Sequence, residues 1–372
     1  MNIRIGIFIE NPTVLGGVQR VTNNLINLLN AEYEVPVIMA IYGKDSNCLL
    51  NYNVDILFAQ QLDSLWINTI VNKYKLTHII IQIESIQKAL LVNRLCKTTG
   101  CKIINILHSS PYVYFKKYGG IKRTISNVRF FLQYIKMNIY WRPFHRNAFK
   151  EILNNSGMVC VSKKAADELK LIMKYKYDDK ISYIPNPLTF LPYRKQLDKK
   201  NYIVYAGRLF IDKMPLTMIK VWEKVSVKHP DWKFYILGDG PSRNEIEAYI
   251  SSHKVKNVYL EGIVDNVESY LEESKITILF SYYEGLPTIL LEAASYKNAL
   301  LATISDGGIA DIVINNKTGI LEKSNVKCLS SALDKLMSDD ALVNRYAQEG
   351  FDLLKQYKDE IILKKWEQLL CL

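Results

Sequence analysis

Short apolar runs alternate with amphipathic stretches along most of the chain. In the first half, runs typical of strands covered on both faces occupy 2–10, 34–42, 54–59, 77–83, 102–109, 157–162 and 180–186. Between the first two runs, the segment 21–30 carries Val21, Leu25, Leu28 and Leu29 at helical spacing. Strands that alternate with helices predict a mostly parallel sheet with right-handed crossovers.

The second half repeats this plan. Predicted strands occupy 201–208, 232–240, 257–264, 275–281 and 299–304, and amphipathic helices occupy 214–229, 242–254, 267–274 and 356–372. The fold class is therefore α/β, with two doubly wound domains in tandem and a ligand expected in the cleft between them. The segment 185–201 has three prolines followed by a charged run, which indicates the domain boundary.

Length and composition exclude several classes of protein. A chain of 372 residues is too long for one ordinary core and agrees with two domains. No run approaches 18 apolar residues, and the opening run ends too early, at Glu10 and Asn11, for a signal peptide. The six cysteines show no CxxC pair and no metal-ligand spacing, which favours reduced thiols in the cytoplasm.

The net charge of +11 is unevenly distributed. Residues 1–190 hold 24 Lys and Arg against 12 Asp and Glu, whereas residues 191–372 hold 24 against 25. Between Glu84 and Glu151 there are 13 basic residues and no acidic one. The first half is thus expected to meet an anionic partner, namely nucleic acid, a membrane surface or a phosphorylated substrate. A solvated basic face without a partner remains the alternative.

Two segments combine a strand end with features that bind anions. Gly16 and Gly17 lie between the first strand and the first helix, where glycine lets the backbone approach a ligand and the helix offers unpaired N–H groups. Neither GxGxxG nor GxxxxGK[ST] is present. In the second half, Arg208 follows a strand directly and Lys213 lies five residues later, so two cations fall where doubly wound folds bind ligands.

A third segment, 281–303, carries two carboxylates. Glu284 follows a strand, and Glu292 lies eight residues later in a helix that Pro287 is expected to begin. Because Glu292 stands among Leu and Ala residues, its carboxylate needs hydrogen-bond partners, and sugar hydroxyls would suit. A loop charge and a surface helix residue remain the alternative interpretation.

Taken together, these segments resemble the retaining glycosyltransferases of family 4, in particular those that build bacterial cell-envelope polysaccharides. The resemblance rests on GGVQR at 16–20, ILHSSP at 106–111, IPNPL at 184–188, YAGRLFIDK at 205–213, LGDGP at 237–241, EGIVDNV at 261–267, the Glu284–Glu292 pair and TGIL at 318–321. It implies the GT-B fold, in which two Rossmann-like domains face each other across a cleft. Residues 1–190, joined by the helix at 357–372, would bind the acceptor, and residues 191–356 would bind the nucleotide-sugar donor.

The resemblance also implies roles for single residues at the leaving group. Gly16 and Gly17 would form a loop that faces the donor diphosphate and the acceptor, and Arg208 and Lys213 would neutralise the diphosphate as it departs. No metal cofactor is expected, because these cations and two helix N-termini would supply the positive charge. One departure from the family pattern follows Lys213, where this chain has Met214 in place of the frequent glycine.

Further roles concern the nucleoside and the sugar. The resemblance implies that Glu292 binds the ribose hydroxyls and that Ile263 and Val264 border the base. His108 would line the catalytic centre and hydrogen-bond the donor sugar. Glu284 would contact the transferred hexose together with the backbone of Gly285, Leu286 and Pro287.

The acid-free region mixes aromatic and basic residues and contains a predicted amphipathic helix at 125–140. Such a mixture is found in nucleic-acid-binding proteins and on membrane-bound surfaces, and a helix packed on its own domain is the simpler alternative. The resemblance favours an anionic membrane surface, no nucleic acid, and a peripheral enzyme on the inner face of the membrane. It implies a UDP-sugar rather than a GDP-sugar as donor, and an undecaprenyl-diphosphate-linked glycan of capsule, O-antigen or exopolysaccharide as acceptor. A GT-B nucleotide-sugar 2-epimerase and a nucleic-acid-binding protein remain as rivals.

Overall fold

The computed structural model describes residues 2–14, 16–43, 52–115, 140–188 and 199–371. The chain divides into two compact units, which we call unit 1 (Met1–Thr189 with Tyr357–Leu372) and unit 2 (Phe190–Gln356). The helix predicted at 125–140 lies outside the described residues except for Tyr140. Among the residues that are described, no helix is long and apolar enough to cross a membrane.

Unit 1 is built on a parallel sheet of seven strands in the order β3-β2-β1-β4-β5-β6-β7. The strands are β1 Arg4–Ile9, β2 Glu34–Ala40, β3 Asp55–Phe58, β4 His78–Ile83, β5 Lys102–Leu107, β6 Gly157–Cys160 and β7 Ile181–Tyr183. The strand order changes direction between β1 and β4, which is the place where doubly wound sheets bind ligands, at the end where the strands finish. We call that side the carboxyl end of the sheet.

Helices connect the strands of this sheet. They are α1 Gly17–Leu29, α2 Ser64–Tyr74, α3 Ile86–Leu95, α4 Arg142–Asn155 and α5 Lys163–Ile172. Side chains of Asp63, Ser85 and Ser162 accept backbone N–H groups at the starts of α2, α3 and α5, which explains why these helices begin where they do.

Unit 2 has a parallel sheet of six strands in the order β10-β9-β8-β11-β13-β15 and a separate pair, β12-β14. The strands are β8 Lys200–Ala206, β9 Lys233–Leu237, β10 Val258–Gly262, β11 Ser274–Leu279, β12 Tyr283–Glu284, β13 Ala299–Thr303, β14 Asp306–Gly307 and β15 Gly319–Glu322. The helices are α6 Pro215–Ser226, α7 Arg243–His253, α8 Val267–Glu273, α9 Thr288–Ser295, α10 Ile309–Ile312, α11 Val326–Met337 and α12 Asp340–Leu353.

The last helix, α13 Asp359–Cys371, follows unit 2 in the chain but belongs to unit 1. It buries Ile362, Trp366 and Leu370. At its C-terminus, His78 Nε2 donates to the carbonyl of Leu370 at 3.2 Å, and Lys102 Nζ donates to the carbonyl of Leu369 at 2.7 Å. These donors satisfy carbonyls that a helix end leaves unpaired, so the helix is held at the beginnings of β4 and β5.

The prediction of two doubly wound α/β domains is confirmed, with small differences at helix ends. The first helix begins at Gly17 rather than at 21, because Gly16 acts as its N-cap and the following residues continue the helix. The helix that Pro287 was expected to begin starts at Thr288, with Pro287 as the N-cap. Differences of this kind are common at helix N-termini. An apolar pattern locates a helix only from the turn in which its buried residues begin.

Candidate functional site

Glycines bring the chain segments after β8, β9 and β10 close together in unit 2. Gly238 has a φ of 126°, and a Cβ added to it would lie 2.1 Å from the carbonyl oxygen of Gly207. The N–H of Gly238 donates to the carbonyl of Gly262 at 2.6 Å. Only glycine permits this approach at a positive φ, so the motif LGDGP is required by packing at the carboxyl end of the sheet.

Arg208 stands on this scaffold with its backbone held and its side chain exposed. The hydroxyl of the fully buried Tyr205 donates to the carbonyl of Arg208 at 2.9 Å. The guanidinium lies 5.7 Å from the ring centre of Phe210. An exposed guanidinium on a fixed backbone is well suited to bind an anion at the end of β8.

Lys213 follows in a turn of 3-10 helix, Ile211–Lys213, and is paired with two carboxylates. Its Nζ lies 2.6 Å from Glu284 Oε1 and 3.4 Å from Asp212 Oδ2, and the three side chains are 18%, 14% and 7% exposed. Burial by itself would lower the pKa of Lys213, but the charges of Glu284 and Asp212 outweigh it and raise the pKa. Lys213 therefore stays protonated. The cation expected to bind the diphosphate, Lys213, thus forms an ion pair with the carboxylate expected to contact the sugar, Glu284.

The unusual Met214 takes a left-handed conformation with a φ of 50°. Glycine adopts this region without steric cost, which accounts for the glycine that the resembling family often has at this position. Pro215 begins α6 directly after Met214.

The segment after β12 places a backbone loop before α9. Gly308 N–H donates to the carbonyls of Glu284 and Gly285, at 3.3 and 2.9 Å. Leu286 and Pro287 are buried, so the loop is fixed on both sides. Glu292 is half-buried on α9, between the buried Leu291 and Ala293, as its sequence context indicated.

Ile263 and Val264 follow β10 at the same carboxyl end. Ile263 is 77% exposed and Val264 is half-buried. An exposed isoleucine directly after a strand that ends beside Gly238 provides an apolar surface next to the cationic segment. Such a surface could cover one side of a planar base.

Unit 1 contributes the paired glycines at the start of α1. Gly16 is the N-cap in extended conformation, with no side-chain cap, and Gly17 is the first helical residue. A Cβ added to Gly17 would meet no atom within 4 Å. The first turn of α1 is therefore open at this glycine, as a ligand that approaches the helix N-terminus requires.

His108 directly follows β5 and is partly buried. Its Nε2 is hydrogen-bonded to Oε1 of Gln82, a residue of β4 that is 1% exposed. Burial lowers the pKa of His108 to about 4, so its imidazole is neutral near pH 7. It can exchange hydrogen bonds with a hydroxyl but cannot neutralise a phosphate.

The sequence interpretation missed a set of polar residues that hold the loop before α1. Glu84 accepts the N–H of Glu10 at 3.0 Å, and Glu10 in turn accepts the N–H of Ser85 at 2.8 Å. Gln19 donates to the carbonyl of Asn11 at 2.9 Å and to Glu84 at 3.4 Å. The available signal was a polar residue directly after each of two adjacent buried strands, β1 and β4.

The pKa of Glu84 is raised above its ordinary value. Loss of hydration around the carboxylate is the largest cause, although the residue as a whole is exposed, and the charge of Glu10 adds to it. The hydrogen bonds from Glu10 and Asn11 N–H groups and from Gln19 act in the opposite direction. The two carboxylates thus tie the ends of β1 and β4 together beside the glycine pair.

Each unit thus collects its candidate residues at the carboxyl end of its own sheet. In unit 2 these are Arg208, Lys213, Ile263, Val264, Glu284, Gly285, Leu286, Pro287 and Glu292, and in unit 1 they are Gly16, Gly17 and His108. The unit 2 set combines an exposed guanidinium, a compensated ammonium, carboxylates and an apolar surface, which can bind an anion and a polyol. Within the described residues, no three His, Cys, Asp or Glu side chains are grouped so that they could hold a metal ion.

Comparison with known proteins gives matches to both the C-terminal part and the whole chain. Residues 192–352 match the model of the family described as glycosyl transferases group 1. An uncharacterised glycosyltransferase of Haemophilus influenzae is 25% identical over 99% of both chains. An α-1,4-N-acetyl-D-galactosaminyltransferase of Campylobacter jejuni, whose named substrate is a PP-undecaprenol-linked saccharide, is 24% identical over 95% of both.

A solved structure extends the similarity to the fold. Anabaena HepE, crystallised with UDP and glucose, matches with a TM-score of 0.78 over 100% of both chains at 12% identity. Similarity at this level of identity concerns the arrangement of the backbone. It agrees with the two parallel sheets described above.

Proposed function

Because this chain is a glycosyltransferase with the GT-B fold, we propose that it transfers a hexose from a nucleoside diphosphate to a glycan acceptor, with retention at the anomeric carbon. The observation that carries the proposal is the Lys213–Glu284 ion pair, together with the exposed Arg208 that follows β8, at the carboxyl end of the unit 2 sheet. This group joins phosphate-binding cations to a carboxylate suited to sugar hydroxyls.

The chemistry follows from where charge develops. As the bond between the anomeric carbon and the phosphate oxygen breaks, the sugar becomes positive and the nucleoside diphosphate gains negative charge. Arg208 is exposed, and its guanidinium carries a positive charge and several N–H donors in one plane, so it binds the departing phosphates. Lys213 adds a second cation, whose charge Glu284 and Asp212 compensate, and the N–H groups at the start of α9 add a partial positive charge. Groups fixed before the reaction stabilise this charge most effectively.

In this mechanism the Lys213–Glu284 pair links the two ends of the breaking bond. Glu284 holds the ammonium of Lys213 in place, and the sugar hydroxyls approach the same carboxylate and the loop at 285–287. Glu292 on α9 binds the ribose, and Ile263 and Val264 cover the base. These side chains and α9 supply the positive and polar groups of the site, so the reaction is proposed to need no metal.

His108 is proposed to bind the donor sugar through a hydrogen bond and not through charge, because its ring is neutral. Many retaining enzymes use a carboxylate nucleophile. Here we propose attack on the same face, in which the acceptor oxygen bonds to the anomeric carbon and its proton passes to the departing phosphate oxygen. This accounts for all atoms without a side-chain base.

The donor and acceptor are proposed from the relatives. The complex of Anabaena HepE with UDP and glucose supports a UDP-sugar over a GDP-sugar. The named substrate of the Campylobacter jejuni relative supports a glycan linked to undecaprenyl diphosphate. The product is proposed to be a capsule, O-antigen or exopolysaccharide precursor, made on the cytoplasmic face of the membrane.

Unit 1 shows a surface that supports this location. Tyr140 and Trp141, directly before α4, and Phe144, in its first turn, are 69%, 38% and 37% exposed. Arg146 and Lys150 are exposed on the same helix. Aromatic side chains at headgroup depth with cations beside them suit an anionic lipid surface.

A donor and acceptor panel tests the proposed reaction. The full chain is incubated with UDP- and GDP-sugars, with and without undecaprenyl-diphosphate saccharides and with and without EDTA, and products are identified by mass spectrometry. We expect transfer from a UDP-sugar, unaffected by EDTA. Arg208→Ala and Glu292→Ala are expected to lose transfer, whereas Arg345→Ala, at an exposed position on α12, keeps it. Full activity in either site variant, or no turnover together with no donor protection against unfolding, would contradict the proposal.

Vesicle sedimentation tests the proposed membrane contact. We expect binding to vesicles that contain phosphatidylglycerol and none to phosphatidylcholine vesicles. Trp141→Ala/Phe144→Ala is expected to release the protein, whereas Val227→Ala, at an 83% exposed position of unit 2, is not. Unchanged binding of the double variant would remove this surface from the proposal.

A further inference from the structure

Gln82 is a polar residue near the carboxyl end of β4, a strand that is otherwise mostly isoleucine. All six residues of β4 are buried, and four of them are isoleucines. Gln82 is 1% exposed, and its Nε2 is buried without a hydrogen-bond partner among the described residues. Burial of an amide in such surroundings costs free energy unless its polar atoms are hydrogen-bonded. The side-chain oxygen of Gln82 accepts a hydrogen bond from Nε2 of His108.

The sheet register explains why these two side chains meet. β4 and β5 are parallel neighbours, and Gln82 pairs with Ile106. His108 lies two residues beyond Ile106, so it points to the same face of the sheet as Gln82. The contact therefore follows from strand pairing at the carboxyl end of the unit 1 sheet.

The hydrogen bond has a chemical consequence for the imidazole. An amide oxygen can only accept, so the neutral ring carries its proton on Nε2, and Nδ1 becomes an acceptor. Among the described residues, Nδ1 of His108 has no hydrogen-bond partner. A substrate hydroxyl can donate to it.

We propose that Gln82 is a positioning residue for the transfer reaction: it holds His108 in the Nε2–H tautomer and presents Nδ1 as an acceptor for a substrate hydroxyl. This inference rests on the proposed role of His108. Gln82 itself touches no substrate, and its effect passes through the ring that it orients.

The other polar groups near this end of the sheet are already engaged. Glu84 and Glu10 accept backbone N–H groups, and Ser110 donates to Glu168 of α5 at 2.6 Å. Burial raises the pKa of Tyr114, which follows β5 in a 3-10 turn, to about 12, so its hydroxyl keeps its proton. Burial is the cause of the lowered His108 pKa, and no charged group among the described residues contributes to it.

A neutral partner differs from a carboxylate in a way that experiment can detect. With glutamine at position 82, the ring is held without being charged. With a carboxylate, an ionic pair would favour the imidazolium and raise the pKa of His108. The variant Gln82→Glu therefore changes the pH dependence of transfer, whereas a purely structural role for residue 82 would change only stability.

The first experiment needs no substrate and so is independent of the proposed function. The full chain is labelled with 15N-histidine, the His108 signals are assigned with His108→Asn, and the chemical shifts report the tautomer. We expect the Nε2–H form in the wild type and a mixture of tautomers in Gln82→Met, which removes the acceptor. The Nδ1–H form in the wild type would overturn the inference and leave the proposed reaction intact.

The second experiment measures kcat and KM of the folded variants from about pH 5 to pH 9, where the wild type is expected to show no His108 titration. Gln82→Met should lose about 10- to 100-fold in kcat. Gln82→Glu should show a decline in kcat as pH falls through the raised pKa of His108. Ile83→Val, a buried change in the same strand, controls for packing and should resemble the wild type. Wild-type kcat and pH profiles in both Gln82 variants would refute the inference, whatever the tautomer.

Discussion

Unit 2 places Arg208, Lys213 and Glu284 at the carboxyl end of its sheet, whereas unit 1 places Gly17 and a neutral His108 at the corresponding end. The net charge is distributed the other way, because the excess of basic residues lies in the first half of the chain. Residues 1–190 carry 24 basic and 12 acidic residues, and residues 191–372 carry 24 and 25. The comparison shows that the net charge of a domain describes its outer surface, while the chemistry of a site depends on a few residues at strand ends.

The two ends also differ in how they are held. In unit 2 a half-buried ion pair and close glycine contacts determine the geometry. In unit 1, carboxylates and amides bind backbone N–H groups and a ring nitrogen. Ionic groups suit a leaving group that gains charge, and hydrogen-bonded groups suit hydroxyls that remain neutral. The following predictions test this difference.

The largest effect is expected for Lys213→Met. Loss of the ammonium leaves the half-buried Glu284 and the buried Asp212 without their cation, at an expected cost of about 3–5 kcal/mol in unfolding free energy. Transfer should fall by about a hundredfold to a thousandfold, because a preorganised charge at the leaving group is gone. Urea denaturation and steady-state kinetics measure the two quantities.

The double variant Lys213→Met/Glu284→Met separates stability from catalysis. It should recover much of the lost stability, since one of the unpaired carboxylates is removed, but no transfer. His108→Asn in unit 1 provides the comparison, because it removes no charge from its site. A larger loss of transfer for His108→Asn than for Lys213→Met would reverse the contrast between the two units.

Trp366→Ala tests whether α13 is part of unit 1. Trp366 is 2% exposed on the last helix, so its truncation should cost about 3–5 kcal/mol. The loss should appear in the unfolding of unit 1, followed by hydrogen exchange of β4 and β5, because the end of α13 is held there. Increased exchange in unit 2 alone would contradict the assignment.

A pair of glycine variants compares the two kinds of turn. Gly238→Ala should destabilise the protein by about 3 kcal/mol or more, because its positive φ and the 2.1 Å approach to Gly207 exclude a Cβ. Gly17→Ala should leave the melting temperature nearly unchanged, since its Cβ would meet nothing within 4 Å.

The same pair has a kinetic readout. If a ligand approaches the first turn of α1, Gly17→Ala should raise the KM for a substrate although the fold is intact. A wild-type KM in this variant would show that Gly17 faces no substrate. Equal melting temperatures for the two variants would show that the glycines of unit 2 are not required by packing.

The last prediction concerns Lys199, which donates to the carbonyl of Leu271 at 3.0 Å and to Asn298 Oδ1 at 2.6 Å. Burial lowers its pKa from 10.5 to about 7. Between these values the unfolded chain binds more protons than the folded one, so stability should rise as pH increases from about 7 to 10.5. Lys199→Met should weaken this dependence, measured as melting temperature against pH; an unaltered slope would assign it to another group.

Several features of the site could be predicted from local sequence. Arg208 and Glu292 are found in the environments that their neighbours indicated, one exposed after a strand and one half-buried among apolar residues. The contact between Lys213 and Glu284 could not be predicted, because 71 residues separate them and only strand pairing brings them together. Gln82 and Glu84 were missed because each looks like an ordinary polar residue at a strand end.

The alternation of apolar runs and amphipathic segments determined the two doubly wound sheets, since burial on both faces of a parallel strand requires continuous apolar residues. Turn glycines and strand-end cations likewise indicated where ligands approach. Which side chains share a proton, a charge or a backbone carbonyl was decided by the tertiary structure alone. The physical reason is that local pattern controls burial over a few residues, whereas hydrogen bonds such as Gln82 to His108 depend on the register of strands distant in the chain.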